Sequence, residues 1–231
     1  MVRIIATLVL SLIVAAGGPA ARAQDLPQGV RIHGGYVSGT EYLDMSAPQR
    51  EAYVAGLLSG ARLAPNFGAP PERLEWLIGC TSVLDRAKLA SRIYDAIFAN
   101  TRLWDNRNPA KMYRAVVDAC REAAAGSRTA AAVPFAARDY VSMGGLQKKA
   151  FVSGVLEGML LAPAFGADET RMEWFLACTT DLDRIEMRAK INAYVMAHGD
   201  RWDDTSPALY YRAVAEACRD WASQRPQNSK R

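Results

Sequence analysis

Tyr53-Val54-Ala55-Gly56-Leu57-Leu58-Ser59-Gly60 recurs as Phe151-Val152-Ser153-Gly154-Val155-Leu156-Glu157-Gly158, two glycine-bearing helical segments at the start of two copies of one unit. Apolar residues follow helical spacing in both, as Tyr53, Leu57, Leu58 and Ala61 and as Phe151, Val155, Leu156 and Met159. Each segment also carries two glycines four apart. Glycine costs about 1 kcal/mol in a helix interior, so its retention in both copies needs a physical reason. Close approach of another backbone is the structural reason, and a groove for a partner is the functional one. Gly56, Gly60, Gly154 and Gly158 are therefore candidate binding residues.

Outward from this helix the whole pattern repeats. Residues 42–121 align with 140–219 at a constant offset of 98 without a gap, and 35 of the 80 paired positions are identical. What recurs is architectural: Cys80/Cys178, Cys120/Cys218, Trp76/Trp174, Trp104/Trp202 and Pro109/Pro207. Any mechanism should therefore reside in one unit used twice.

Each unit reads as four helices with almost no strand signal, so the expected fold class is all-α, two tandem repeats of a small four-helix, disulfide-stapled bundle. The first helix spans 47–64 and 145–162, opened in the first copy by a Ser46/Gln49 capping box and stopped by Pro65 or Pro163. A loop follows, Leu63-Ala64-Pro65-Asn66-Phe67-Gly68-Ala69 and its copy Leu161 to Ala167, whose Phe is expected to plug the end of its own domain. A short helix over 70–79 or 168–177 places Trp76 and Cys80, or Trp174 and Cys178, on one face by i,i+4 spacing. The third helix covers 82–99 and 180–197, with Ser82 or Thr180 as candidate cap. The fourth opens with Asn108-Pro109 or Ser206-Pro207 and runs to the second cysteine.

The remaining segments bound the chain's class. Arg3, the apolar run Ile4 to Ala16 and the small-x-small triplet Ala21-Arg22-Ala23 read as a secretory signal over residues 1–23, cleaved near Ala23. The apolar run is roughly 13 residues, short of the roughly 20 that span a bilayer, and no later segment is apolar enough to span one. Residues 24–41 show no usable pattern, 122–139 read as a linker between repeats 42–121 and 140–221, and 222–231 read as a disordered polar tail. Loss of Arg3 and Arg22 lowers the formal charge from +4 to +2, too small a surplus to imply nucleic-acid binding. Export into an oxidising compartment makes disulfides the default for four cysteines. Cys80–Cys120 and Cys178–Cys218 are the favoured pairs because each copy then closes its own bridge. The two cross-copy pairings also respect the repeat.

Reactive chemistry is sparse. His33 and His198 are the only histidines, far apart in sequence and with no closely spaced Cys pair, so no metal or cofactor is expected. No nucleophile elbow, phosphate-cradling glycine loop or zinc-protease helix is present. The recurring acids Asp105/Asp203, Glu75/Glu173 and Asp85/Asp183 read as solvated surface groups, with Asp85-Arg86 and Asp183-Arg184 as ion pairs at a helix start. The chain is expected not to be an enzyme. The binding candidates are Trp104-Asp105 and Trp202-Asp203, in the loop before the last helix, where a repeated Trp is either a lid on the core or an exposed anchor.

Taken together, the aromatic Gly-x-x-x-Gly helix Tyr53 to Gly60, a cysteine after a short loop-helix, and a second one ending Ala115-Val116-Val117-Asp118-Ala119-Cys120 resemble the Rap/Tai immunity domains. These periplasmic proteins neutralise cell-wall amidases delivered by type VI secretion. The resemblance covers both copies and implies a binding protein whose disulfide-locked surface covers a toxin's cleft. It also implies an intrachain pseudo-dimer, since family members pair as dimers. Two other readings stand beside it. One is a periplasmic acid-stress chaperone, which also surrounds one disulfide with helices and would become strongly cationic in acid. The other is an envelope-polymer enzyme using Asp105, Asp203 or His198.

Overall fold

The structure is a computed structural model and describes residues 30, 32–82, 84–100, 107, 109–125, 135–204 and 207–224. The signal segment 1–23, Trp104, Asp105 and residues 126–134 of the linker lie outside the described residues. The described residues form ten α-helices with no strand among them. The chain is all-α, and its two repeats are disulfide-stapled four-helix bundles.

In the first repeat, α1 (Gly39–Leu43) precedes the four expected helices, α2 (Ala47–Ala61), α3 (Glu75–Thr81), α4 (Arg86–Phe98) and α5 (Pro109–Ala125). In the second, α6 (Ala137–Ser142) precedes α7 (Gly145–Leu160), α8 (Glu173–Asp181), α9 (Arg184–Ala197) and α10 (Ala208–Gln224). Helix α1 falls partly in a stretch that showed no pattern. Its signal is local: Ser38 Oγ accepts from the Glu41 amide at 3.1 Å while Glu41 Oε2 accepts from the Ser38 amide at 2.7 Å, a full capping box. At α2 the Ser46 amide donates to Gln49 Oε1 at 2.7 Å, and at α7 Gly144 donates to Gln147 at 3.0 Å, so the glutamine acts even where the cap lacks a hydroxyl.

The third helix starts later than expected. Asp85 caps α4 by accepting from the Ala87 amide at 2.7 Å, and Asp183 caps α9 by accepting from Ile185 at 2.6 Å. Ser82 and Thr180 instead turn their hydroxyls back onto the carbonyls of Gly79 and Leu176. The aspartates of the recurring Asp-Arg pairs are therefore helix caps, because a carboxylate aimed at orphan amides is worth more than one facing a solvated neighbour. The disulfides are Cys80–Cys120 and Cys178–Cys218, each tying the short helix α3 or α8 to the last helix of its own repeat. Closing a loop of this length is worth roughly 4 kcal/mol in the chain-entropy estimate.

Helices α2 and α7 lie side by side in the same direction at the centre of the molecule and are buried along most of their length. A methyl placed on Gly56 would collide with the carbonyl oxygen of Phe151, and one on Gly60 with that of Val155. The reciprocal pairs are Gly154 with Tyr53 and Gly158 with Leu57. Close backbone approach is thus what the four glycines serve, and the position where a partner would need to enter is filled by the opposite repeat.

The two cores also interpenetrate at the loops. Phe67 does not plug its own bundle. Its ring packs on Trp174, Phe175 and Tyr211 of the second repeat at centroid distances of 6.2, 5.9 and 5.8 Å. Phe165 answers by packing edge-on to Tyr113 of the first at 5.6 Å. The turns that deliver these rings end at Gly68 (φ 89°) and Gly166 (φ 86°), a left-handed conformation suited to glycine. Arg171 lies against Gly68 and Arg73 against Gly166, so each turn is covered by an arginine of the other repeat. All buried apolar residues consequently belong to one continuous core.

Alanine at Gly56, Gly60, Gly154 or Gly158 is expected to lower unfolding free energy by roughly 1–3 kcal/mol or more, since overpacking outweighs the gain in helix propensity. Gly79 has open space where a Cβ would sit in α3, so Gly79→Ala should stabilise by about 0.5–1 kcal/mol. Denaturant unfolding of the two classes of variant checks the opposite signs.

Candidate functional site

The loop tryptophan of the second repeat is a lid. The Trp202 indole Nε1 donates to the Val195 carbonyl at 3.0 Å and its ring packs on the core. Asp203 beside it is exposed and pairs with Arg138 at 2.5 Å. Trp104 and Asp105 lie outside the described residues. Glu75 and Glu173 are exposed at the starts of α3 and α8. Of the predicted candidates the structure brings together only the four glycines, and those face each other.

His198 lies in a surface hollow of about 300 Å³ between α9 and α10. Its ring stacks on Tyr194 at 4.0 Å and its Nδ1 sits 2.7 Å from the Tyr194 carbonyl, which fixes Nδ1 as the protonated nitrogen. Lys190 and Asp220 pair across the hollow at 3.2 Å, and Glu216 completes its acidic side. The lining contains no serine, threonine or cysteine, so the imidazole has no nucleophile of that kind to activate.

A broader groove of about 590 Å³ runs between α8 and α10, floored by the second disulfide. Trp174, Tyr211 and Trp221 line it with alanines 177, 215 and 222, and Arg219 stands at its edge. Trp174 meets Tyr211 edge-on at 6.2 Å and stacks on the incoming Phe67, so one wall residue of the groove is backed by a ring from the first repeat. The equivalent Trp76 is 5 % exposed, whereas Trp174 is half-buried and reaches the surface. Rigid aromatic rings beside a cation, on helices pinned by a disulfide, suit recognition of an apolar and acidic protein surface. The i,i+4 spacing places Trp174 only on the face of Cys178, without exposing it. The overlooked signal was asymmetry: Trp221 has Ala123 as its counterpart 98 residues earlier.

A second departure from the repeat is buried. Glu157, on the central helix α7, occupies the place of Ser59 and is fully enclosed. Its Oε1 accepts from the backbone amides of Tyr36 and Val37, each at 2.5 Å, and its Oε2 accepts from the Tyr53 hydroxyl. Burial pushes this carboxyl up to about 7, against the opposing pull of the three hydrogen bonds. Ser59 needs no such arrangement, since its hydroxyl donates to the Ala55 carbonyl one turn back at 2.8 Å.

Among the described residues no cluster of His, Cys, Asp and Glu is placed to hold a metal ion, and no helix is long and apolar enough to cross a membrane. Compared with protein families, curated proteins and solved structures, the chain finds no match.

Trp202→Phe retains the lid but leaves the Val195 carbonyl without its indole donor. We expect a loss of about 1 kcal/mol in thermal or denaturant unfolding, with the helical circular dichroism unchanged.

Proposed function

We propose that the chain is a non-enzymatic binding protein of the amidase-immunity type, exported to the periplasm and acting as an intrachain pseudo-dimer. The observation that carries this reading is the aromatic groove formed by Trp174, Tyr211, Trp221 and Arg219, held on disulfide-pinned helices and braced by Phe67 from the other repeat. Such a surface inhibits by covering a partner's cleft and needs no reactive side chain of its own. Two disulfides suit an oxidising compartment, in keeping with the signal-like residues 1–23. The packing of α2 on α7 supports pairing within one chain, in the way separate immunity domains pair as dimers.

The acid-stress chaperone reading asks acid to loosen the fold. Glu157 works in the other direction: with its carboxyl raised to about 7 by burial, its protonation favours the folded state.

The test is direct. The mature chain, mixed with a type VI cell-wall amidase encoded beside its gene, should form a stoichiometric complex and stop peptidoglycan hydrolysis. Trp174→Ala and Trp221→Ala should each weaken binding by about 2 kcal/mol, roughly thirtyfold. Undiminished hydrolysis at saturating concentrations of the chain would sink the immunity reading. Suppression of client aggregation at pH 2–3, with no amidase binding, would establish the chaperone instead.

A further inference from the structure

Residues 34–38 form an arm that crosses from one repeat to the other. The Gly35 amide donates to the Arg107 carbonyl in the first repeat. The next two amides, of Tyr36 and Val37, donate to Glu157 in the second. The Arg184 guanidinium, on α9, donates to the Tyr36 carbonyl at 2.6 Å, and the Tyr36 hydroxyl reaches the Thr179 carbonyl at 3.4 Å. The arm's contacts are therefore mainly main-chain ones, and its side chains Tyr36 and Val37 are buried in the seam. A Cβ on Gly35 would come within 2.7 Å of Glu157 Oε1 and 3.0 Å of Pro109, so any other residue there would have to displace the carboxyl.

The related seam ahead of the second repeat differs. In the aligned position of Glu157 stands Ser59 of the first repeat, and Phe135, counterpart of Val37, makes ring contacts. It stacks on Phe151 at 4.7 Å and carries the Arg86 guanidinium 5.4 Å above its face. Among the described residues, one of the two related seams thus encloses a carboxyl and the other does not.

We propose that residues 34–38 are a pH-dependent latch across the two repeats, closed when Glu157 is protonated and released as it ionises. In the closed state Oε1 accepts from both amides, and the proton on Oε2 donates to the Tyr53 oxygen, reversing the hydrogen bond that the hydroxyl donates to the ionised carboxylate. Ionisation places a charge in an apolar seam that water can reach only if the arm lifts. The groups that face the carboxyl do not remove that cost. Tyr53 on α2 and Tyr36 on the arm are phenols held neutral by burial. Glu41 on α1 adds repulsion and is paired outward with Arg107 at 3.1 Å. Arg184 on α9 is committed to the Tyr36 carbonyl.

The sign follows from linkage. The closed state holds the carboxyl near 7 and the lifted state returns it to the ordinary 4.5, so the contribution of the latch is full below 4.5 and disappears as pH rises through 7. The ratio of closed to lifted arm should fall on the order of a hundredfold across that window.

Amide hydrogen exchange of the whole mature chain tests the proposal, with protection at Tyr36 and Val37 corrected for the intrinsic rate at each pH. Protection should fall by that factor between pH 5 and 8.5 while core amides of α2 and α7 stay protected. In Glu157→Gln, whose amide accepts and donates in the same places without ionising, it should stay level. Carbon-13 NMR of the Glu157 carboxyl in the unaltered protein supplies a readout independent of any variant, and its midpoint should coincide with the loss of protection. Constant arm protection across this range, the same fall in Glu157→Gln, or a carboxyl titrating near 4.5 would each overturn the proposal.

Discussion

The main-chain contact between α2 and α7 is the constraint on which everything else rests. Four glycines remove the side chains that would hold two helices roughly 8–10 Å apart, and the helices close until each backbone meets the carbonyls of the other. At that separation the loops at the helix ends overreach their own bundles, which is why Phe67 and Phe165 land among the aromatic residues of the opposite repeat. The disulfides act on a different joint. They fix the position of α3 against α5 and of α8 against α10, and so define the outer walls against which the exchanged rings pack. One interaction sets the relation between repeats and the other sets the shape within each.

Local features of this architecture were legible in the residues. Helical spacing, the Gln49 back-contact and the pairing of cysteines 40 apart all reflect interactions between near neighbours or within one unit. Where local signals competed, the stronger electrostatic one won: Asp85 and Asp183 displaced Ser82 and Thr180 as caps. The destination of Phe67 was not legible, because a loop residue's partner depends on the distance between two helices far away in sequence. The identity of the site was hidden for a related reason. Attention to what the repeats share selects architecture, and both Trp221 and Glu157 are places where they differ.

Those differences set apart two halves that share 35 of their 80 aligned positions. The first repeat keeps Trp76 covered and contributes Phe67 as a brace, whereas the second leaves Trp174 at the surface and adds Trp221 beyond the repeated unit. The seam over Glu157 carries a titratable group, and the seam over Phe135 relies on stacked rings and a guanidinium above one face. A symmetric framework thus tolerates two specialised features because neither disturbs the glycine contact at its centre.

The exchanged phenylalanines carry a consequence for where such a protein can operate. Two separate chains joined through these rings would drift apart once diluted, and each would then expose an unfilled aromatic cavity. Placing both halves on one polypeptide keeps each at an effective concentration of order millimolar toward the other, whatever the number of molecules present. Assembly becomes independent of expression level, so a handful of copies in a sparsely populated compartment is as fully formed as an abundant stock.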